Sequence, residues 1–182
     1  MSGQDPGRPF ISVVIPSFNE AANMPVMAER LRTALDPVGG WEAIFCDDGS
    51  GDGSLEVLRG LRSADPRIRY VSFSRNFGHQ DALRAGLERA RGEVVVCMDG
   101  DLQHPPEILP QLVAKYREGY DVVYTLREGE KGVSPFKRLT SRGFYGLMRI
   151  LGDVRIEEGS ADFRLFSRRA TDALLGFHEH GV

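Results

Sequence analysis

Residues 10–20 read FISVVIPSFNE, and this stretch decides the fold. Phe10 to Ile15 is a run of β-branched and apolar side chains, the pattern of a strand buried on both faces. Met24, Met27, Ala28, Leu31 and Leu35 follow at helical spacing, with Pro25 where a first helical turn tolerates it. The same alternation continues. Trp41 to Cys46 reads as a strand, and Leu55, Val57, Leu58 and Leu61 mark a helix. Ile68 to Phe73 is a third strand, and Ala82, Leu83, Gly86, Leu87 and Ala90 a third helix. Glu93 to Met98 is a fourth strand, and a helix starting at Pro105-Pro106-Glu107 carries Ile108, Leu109, Leu112, Val113 and Tyr116. Tyr120 to Thr125 is a fifth strand.

Beyond it the pattern loosens. Residues 126–134 are charged and read as a loop, and Pro135 to Leu151 as a longer helix. Residues 153–156 and 162–166 read as short strands, and Arg168 to Phe177 as a final helix. Repeated strand–helix units predict an α/β fold: a mostly parallel sheet with helices on both faces. Ligands bind such sheets beyond the carboxyl ends of the strands.

Composition narrows the class. In 182 residues there are 23 basic and 26 acidic side chains, a net charge of -3, which argues against an electrostatic nucleic-acid binder. No apolar run approaches a membrane span, and Met1 to Pro9 lacks the apolar core of a signal peptide, so the chain as given reads as soluble. Cys46 and Cys97 each lie in an apolar run and read as buried, reduced thiols. A 3-2-1-4 strand order would hold them two strand spacings apart, about 9–10 Å, too far for a disulfide. His79, His104, His178 and His180 show no zinc-ligand spacing.

The strand ends carry the chemistry. The second strand runs into Asp47-Asp48 and the fourth into Asp99-Gly100-Asp101. Carboxylates at i and i+2 of an extended segment point the same way and repel unless a cation lies beside them. Mg²⁺ or Mn²⁺ takes one or two carboxylates and completes its shell with phosphate oxygens and water. The plain alternative is a solvated acidic turn. Gly49, Gly51 and Gly53 lack the GxGxxG spacing and follow the second strand, so a nicotinamide oxidoreductase is disfavoured, and no Walker sequence points to a P-loop NTPase. That loop reads equally as a turn with a helix cap or as a ligand contact. Arg127, Lys131, Lys137, Arg138, Arg142 and Arg149 form a basic cluster beside Phe136, Leu139, Phe144 and Leu147. A helix of this kind lies at an anionic membrane surface or in a core with a basic edge. Arg127 and Arg138 also suit a phosphate clamp. His104 reads as a residue leading into the following helix.

Five motifs occur in order: ISVVIPSFNE (11–20), DDGS (47–50), SRNFGHQ (74–80), DGDLQHPPE (99–107) and ADFRL (161–165). Together they resemble the GT-A glycosyltransferases of family 2, and within them the polyprenyl-phosphate sugar transferases. The resemblance covers residues 10 to 175. It implies a GT-A, Rossmann-like catalytic domain and inverting transfer of a sugar from a UDP- or GDP-sugar to undecaprenyl or dolichyl phosphate. By position, Pro16, Phe18, Glu20 and Asp48 would hold base and ribose, with Asp47, Ser74 and Gln80 in the same donor-binding set. Asp99 and Asp101 would bind Mg²⁺ or Mn²⁺ and the diphosphate, with Gln103 close by. Arg127, Arg138 and Ser141 would receive the acceptor phosphate, and Asp162 and Arg164 would line the sugar side.

Family members continue past ADFRL into an Arg-rich stretch and amphipathic or transmembrane helices. The resemblance therefore implies that residues 1–182 are one catalytic domain, truncated at the C-terminus. The full-length protein would sit at the cytoplasmic face of the inner membrane. Self-association stays open. DGD also stands where DAD is usual. Two other readings remain: a family 2 enzyme acting on a carbohydrate hydroxyl with a base such as Asp162, or a nucleotide-sugar-binding module without turnover.

Overall fold

The computed structural model describes residues 8–126 and 160–176. The chain divides into two compact units, residues 1–124 with 162–182, and residues 125–161. The expected helix 135–151 and strand 153–156 lie outside the described residues, as do His178 and His180.

The first unit alternates as expected. The elements are β1 (Ile11–Ser17), α1 (Met24–Leu35), β2 (Trp41–Asp47), α2 (Ser54–Ala64), β3 (Ile68–Ser72), α3 (His79–Arg89) and β4 (Val94–Cys97). A 3-10 turn (Pro106–Ile108), α4 (Leu109–Arg117), β5 (Val122–Leu126), β6 (Ser160–Ser167) and α5 (Arg168–Gly176) follow in chain order. The sheet order is β3-β2-β1-β4-β6-β5. β1 pairs in parallel with β2 and β4, and β2 in parallel with β3, while β6 runs antiparallel to β4.

Two expectations need correction. The helix expected from Pro105 opens as a 3-10 turn, and α4 begins only at Leu109. Pro110 has no N–H to give the carbonyl of Pro106, so the Leu109 N–H takes that acceptor in a tighter turn. The short strand expected at 162–166 is longer, Ser160–Ser167, and closes with a cap. The Ser167 hydroxyl donates to Asp121 at 2.7 Å and accepts the Ala170 N–H at 3.1 Å, starting α5.

Every residue of β1 and β2 is buried, which is why both read as continuous apolar runs. Val14, Ile44, Cys46, Val95 and Cys97 share the face on which Ala82 and Leu87 of α3 pack. Burial pushes the Cys46 thiol up to about 12, and neither cysteine is in a disulfide. At the N-terminal end of the sheet, buried Glu42 accepts from the Ser12 hydroxyl at 2.7 Å and from Arg69 at 2.8 Å. No helix among the described residues is long and apolar enough to cross a membrane.

Candidate active site

The C-terminal ends of β1, β2 and β4 open into a cleft of about 350 Å³. Pro16, Ser17, Phe18 and Glu20 line it after β1, and Asp48 after β2. Asp99, Gly100 and Asp101 line it after β4, and Asn76, Gly78, His79 and Ala82 form the wall at the start of α3. The parallel register brings these residues together, since equal-facing strands deliver their carboxyl ends to one edge.

The loops behind the cleft are tied to each other. Asn19 sits in the left-handed region at φ +58 and takes the Gly51 N–H at 3.0 Å, while its own N–H donates to the Ser50 hydroxyl at 2.8 Å. Asp52 accepts the N–H of Ala21 at 3.0 Å and the Ser54 hydroxyl at 2.6 Å. The Ser54 hydroxyl and the Ala21 N–H hold the Asp52 carboxyl below its ordinary value. Asn19, Ser50 and Asp52 thus serve as cross-braces between two loops.

Asp47 and Asp48 divide the work. Asp47 is buried, and its carboxylate accepts the Ser50 N–H at 3.1 Å and the Ser72 hydroxyl at 2.9 Å, so it braces the turn behind the cleft. Asp48 faces the other way and borders the cleft. Its Oδ1 accepts the Phe77 N–H at 2.7 Å and its Oδ2 the Gly78 N–H at 2.9 Å.

Asp99 stands between two imidazoles. His79 Nε2 lies 3.8 Å from its Oδ1 and His104 Nδ1 lies 3.6 Å from its Oδ2. His104 is buried, its ring tilted against Phe163 at 5.3 Å, and its Nδ1 faces the Asp99 N–H at 3.4 Å, just before the 3-10 turn. Asp101 Oδ1 accepts the Gln103 N–H at 2.9 Å across Leu102, which sits at φ +64. Left-handed backbone at a bulky residue is strained and recurs at functional sites. Gln103 itself is exposed.

The donor set suits a hard divalent ion. Asp99 and Asp101 supply two carboxylates to one cleft, and no cluster of three ligating side chains exists among the described residues. Mg²⁺ and Mn²⁺ tolerate this, because they fill remaining positions from phosphates and water.

A second compartment of about 390 Å³ shares Pro16, His79 and Asp99 with the cleft. Gln80, Arg164 and Met98 line it, with Leu83, Leu87, Phe166 and Leu174 as apolar walls. Arg164 pairs with Cys97 across the β4–β6 register. Of the residues expected from sequence, Pro16, Phe18, Glu20, Asp48, Asp99 and Asp101 border the cleft, and Gln80 and Arg164 the second compartment. Ser74 is exposed on the loop before α3, and Asp162 lies on β6. Arg127, Arg138 and Ser141 lie outside the described residues. Sequence reasoning missed Asn76, His79 and Ser17 as lining residues. The first two sit inside the SRNFGHQ motif, which was the available signal.

A mostly parallel sheet with an acidic cleft at its carboxyl edge is the architecture of the GT-A glycosyltransferases. The mannosyltransferase PcManGT of Pyrobaculum calidifontis, solved with GDP-Man and Mn²⁺, superposes with a TM-score of 0.65 at 23% identity, over 94% of this chain and 48% of that one. Glucosyl-3-phosphoglycerate synthase of Mycobacterium tuberculosis, solved with Mn²⁺, UDP and glucosyl-3-phosphoglycerate, gives 0.62 at 26% identity, over 90% and 58%.

The profile of the family described as Glycosyl transferase family 2 matches residues 12–175, and the chain belongs to that family. The glycosyltransferase YkcC of Bacillus subtilis is 40% identical over 169 residues, 92% of this chain and 52% of the relative. The bactoprenol glucosyl transferase of Shigella phage SfV is 38% identical, over 89% of this chain and 53% of the relative. The undecaprenyl-phosphate 4-deoxy-4-formamido-L-arabinose transferase of Shewanella sediminis is 35% identical, over 95% and 53%. The chain spans about half the length of the curated relatives it matches.

Proposed function

We propose that this protein transfers a sugar from a UDP- or GDP-sugar to a polyprenyl phosphate, with inversion at the anomeric carbon. The observation that carries the reading is the meeting of Asp99, Asp101 and Glu20 in one cleft at the strand ends. Relatives named for bactoprenol and undecaprenyl phosphate support the acceptor class. Neighbours holding GDP-Man, or UDP with Mn²⁺, support the donor class.

Phe18, 46% exposed at the cleft, offers an aromatic face for the base. Glu20 presents carboxylate oxygens to ribose hydroxyls. Asp99 and Asp101 would hold Mg²⁺ or Mn²⁺. When bound, such an ion supplies charge compensation for the departing diphosphate. Asp162 and Arg164 act on the sugar side, and Arg127, Arg138 and Ser141 take the acceptor phosphate. The basic, apolar stretch 135–151 meets an anionic membrane surface, at the cytoplasmic face of the inner membrane in the full-length protein.

The acceptor is a phosphate monoester with a second pKa of about 6, already anionic near neutral pH. Its oxygen attacks the anomeric carbon while the bond to the diphosphate breaks and the electron pair leaves with it. No side chain has to remove a proton, so the protein's part is to bind and align both substrates.

Incubation with undecaprenyl phosphate and labelled UDP- or GDP-sugars, followed by lipid extraction, tests the proposal. Labelled lipid of inverted configuration is expected. Retained configuration, or label passed only to carbohydrate hydroxyls, rejects it. Donor binding without any product replaces it with a nucleotide-sugar-binding module.

A further inference from the structure

The SRNFGHQ segment joins β3 to α3 and supplies one wall of the cleft through Asn76, Gly78 and His79. A connection of this kind needs something to hold it, and Asp48 does so across 29 and 30 residues of sequence. Both of its oxygens are engaged by consecutive N–H groups, Phe77 at 2.7 Å and Gly78 at 2.9 Å. Paired N–H bonds onto a carboxylate are charge-assisted and fix both distance and direction. Asp48 is buried, so its carboxylate takes these two N–H groups in place of water.

The next residue completes the seat. Gly49 has φ +71, and a Cβ there would lie 2.6 Å from Cα of Arg75. The loop therefore rests on bare backbone. Phe77 packs edge-on to Phe73 at 5.5 Å, and the Arg75 guanidinium covers its ring at 4.7 Å. Gly78, held by Asp48, is the residue from which α3 departs, and His79 Nε2 then arrives 3.8 Å from Asp99 Oδ1.

We infer that Asp48 is a positioning residue: with Gly49 it seats the Ser74–Gly78 loop, and through that loop it sets the cleft wall and the place of His79 opposite Asp99. Its effect on nucleotide binding is carried by the loop, beyond any contact of its own with the base. The functional half of this inference rests on the donor reading above.

Amide hydrogen exchange on the ligand-free chain reads the seat without any ligand. Asp48→Asn replaces one acceptor by a donor and is expected to speed exchange at Phe77 and Gly78 by about tenfold or more, while β1 and β2 amides keep wild-type rates. Gly49→Ala keeps the carboxylate but displaces the loop, and is expected to do the same. It also serves if Asp48→Asn fails to fold. Calorimetric titration with UDP and with GDP, Mn²⁺ present, gives the second readout. Both variants are expected to lose about tenfold or more in affinity for whichever nucleotide the wild type binds, since a misplaced wall misaligns its contacts. Wild-type exchange at Phe77 and Gly78 in the variants overturns the inference. So does a Gly49→Ala chain that exchanges faster yet binds nucleotide with wild-type affinity, because the loop then has no bearing on the cleft. A wild-type chain that binds neither nucleotide overturns the donor reading instead, and the exchange rates still decide the seat.

Discussion

Arg91 grips Glu42 with side chain and backbone together. Its Nε and Nη2 donate to Glu42 Oε2 at 3.0 and 2.7 Å, and its backbone N–H donates to Oε1 at 2.9 Å. Arg69 and Ser12 add their own bonds, so a carboxylate buried at the start of β2 is fully engaged. The carboxylate is the buried partner, while the Arg91 and Arg69 side chains reach water, so losing its charge leaves the arginines solvated and the cost lies in the bonds lost at the buried end. Glu42→Gln is expected to cost about 1–2 kcal/mol of folding stability. Glu42 lies five residues before Asp47 on β2, about 17 Å from the cleft edge. Nucleotide affinity should therefore stay at the wild-type value. Urea melts and calorimetry on one preparation check both; a variant as stable as wild type would count against the network.

The same bonds make stability depend on pH. Burial works to raise the Glu42 carboxyl, but Arg91, Ser12 and Arg69 outweigh it and hold it below its ordinary 4.5. The Arg67 hydrogen bond, with help from Arg32, holds Asp65 far below its ordinary 3.8. A depressed carboxyl contributes stability that is whole above its unfolded pKa and lost as pH falls through the folded one. The melting temperature should be level from neutral pH down to about 5.5 and fall increasingly below 4.5 and 3.8. Glu42→Gln should flatten the first part of that decline, and equal slopes in both proteins would exclude Glu42 from it.

Asp101→Ala tests the carboxylate pair at the end of β4. Its side chain borders open cleft and accepts the Gln103 N–H at 2.9 Å, a bond local to its own loop, so the fold should survive. Transfer to lipid phosphate should drop by at least about 100-fold, the scale expected when metal-held charge compensation is lost. Chelation of divalent ions from the wild type should mimic it. Full turnover in excess EDTA would remove Asp99 and Asp101 from that role.

Gly100 separates those two aspartates, and the space above it is taken. A Cβ there would lie 2.8 Å from Ser17 Oγ but 3.5 Å from Ser17 Cβ. Gly100→Ala should cost about 1 kcal/mol by overpacking. Adding Ser17→Ala removes the clashing hydroxyl and should restore most of the loss. Thermal melts of the single and double variants decide it, and equal melting temperatures would refute the clash.

Cys46 and Cys97 should be silent to thiol reagents. Both are buried in the native fold, and burial keeps Cys46 protonated at neutral pH. Ellman's reagent should find neither thiol in the native chain and both in denaturant. Prompt labelling of the native protein would contradict this packing.

Much of the first unit was legible residue by residue. Strands buried on both faces leave apolar runs, so Ile11 to Ile15, Trp41 to Cys46 and Val94 to Cys97 stand out without any partner in view. The antiparallel course of β6 was not legible, because strand direction is set by what lies between two strands and leaves no local mark. Pro110 was visible, but its consequence, a helix beginning late at Leu109, depends on which carbonyl goes without a donor. The acids of the site were visible as types at strand ends. Their division of labour was not: successive side chains of an extended chain point to opposite sides, so Asp47 turns to Ser72 while Asp48 turns to the loop before α3.

Alone, the order of residues determined the alternating sheet, the acidic carboxyl edge and the family motifs, since propensity, apolar period and short-range spacing are written along the chain. Tertiary structure alone decided that His79 stands opposite Asp99, that Asp48 carries the Phe77–Gly78 backbone, and that Ser17 fills the space over Gly100. Each of these joins residues 20 to 83 positions apart, and only the register of the parallel strands brings them within a few ångströms.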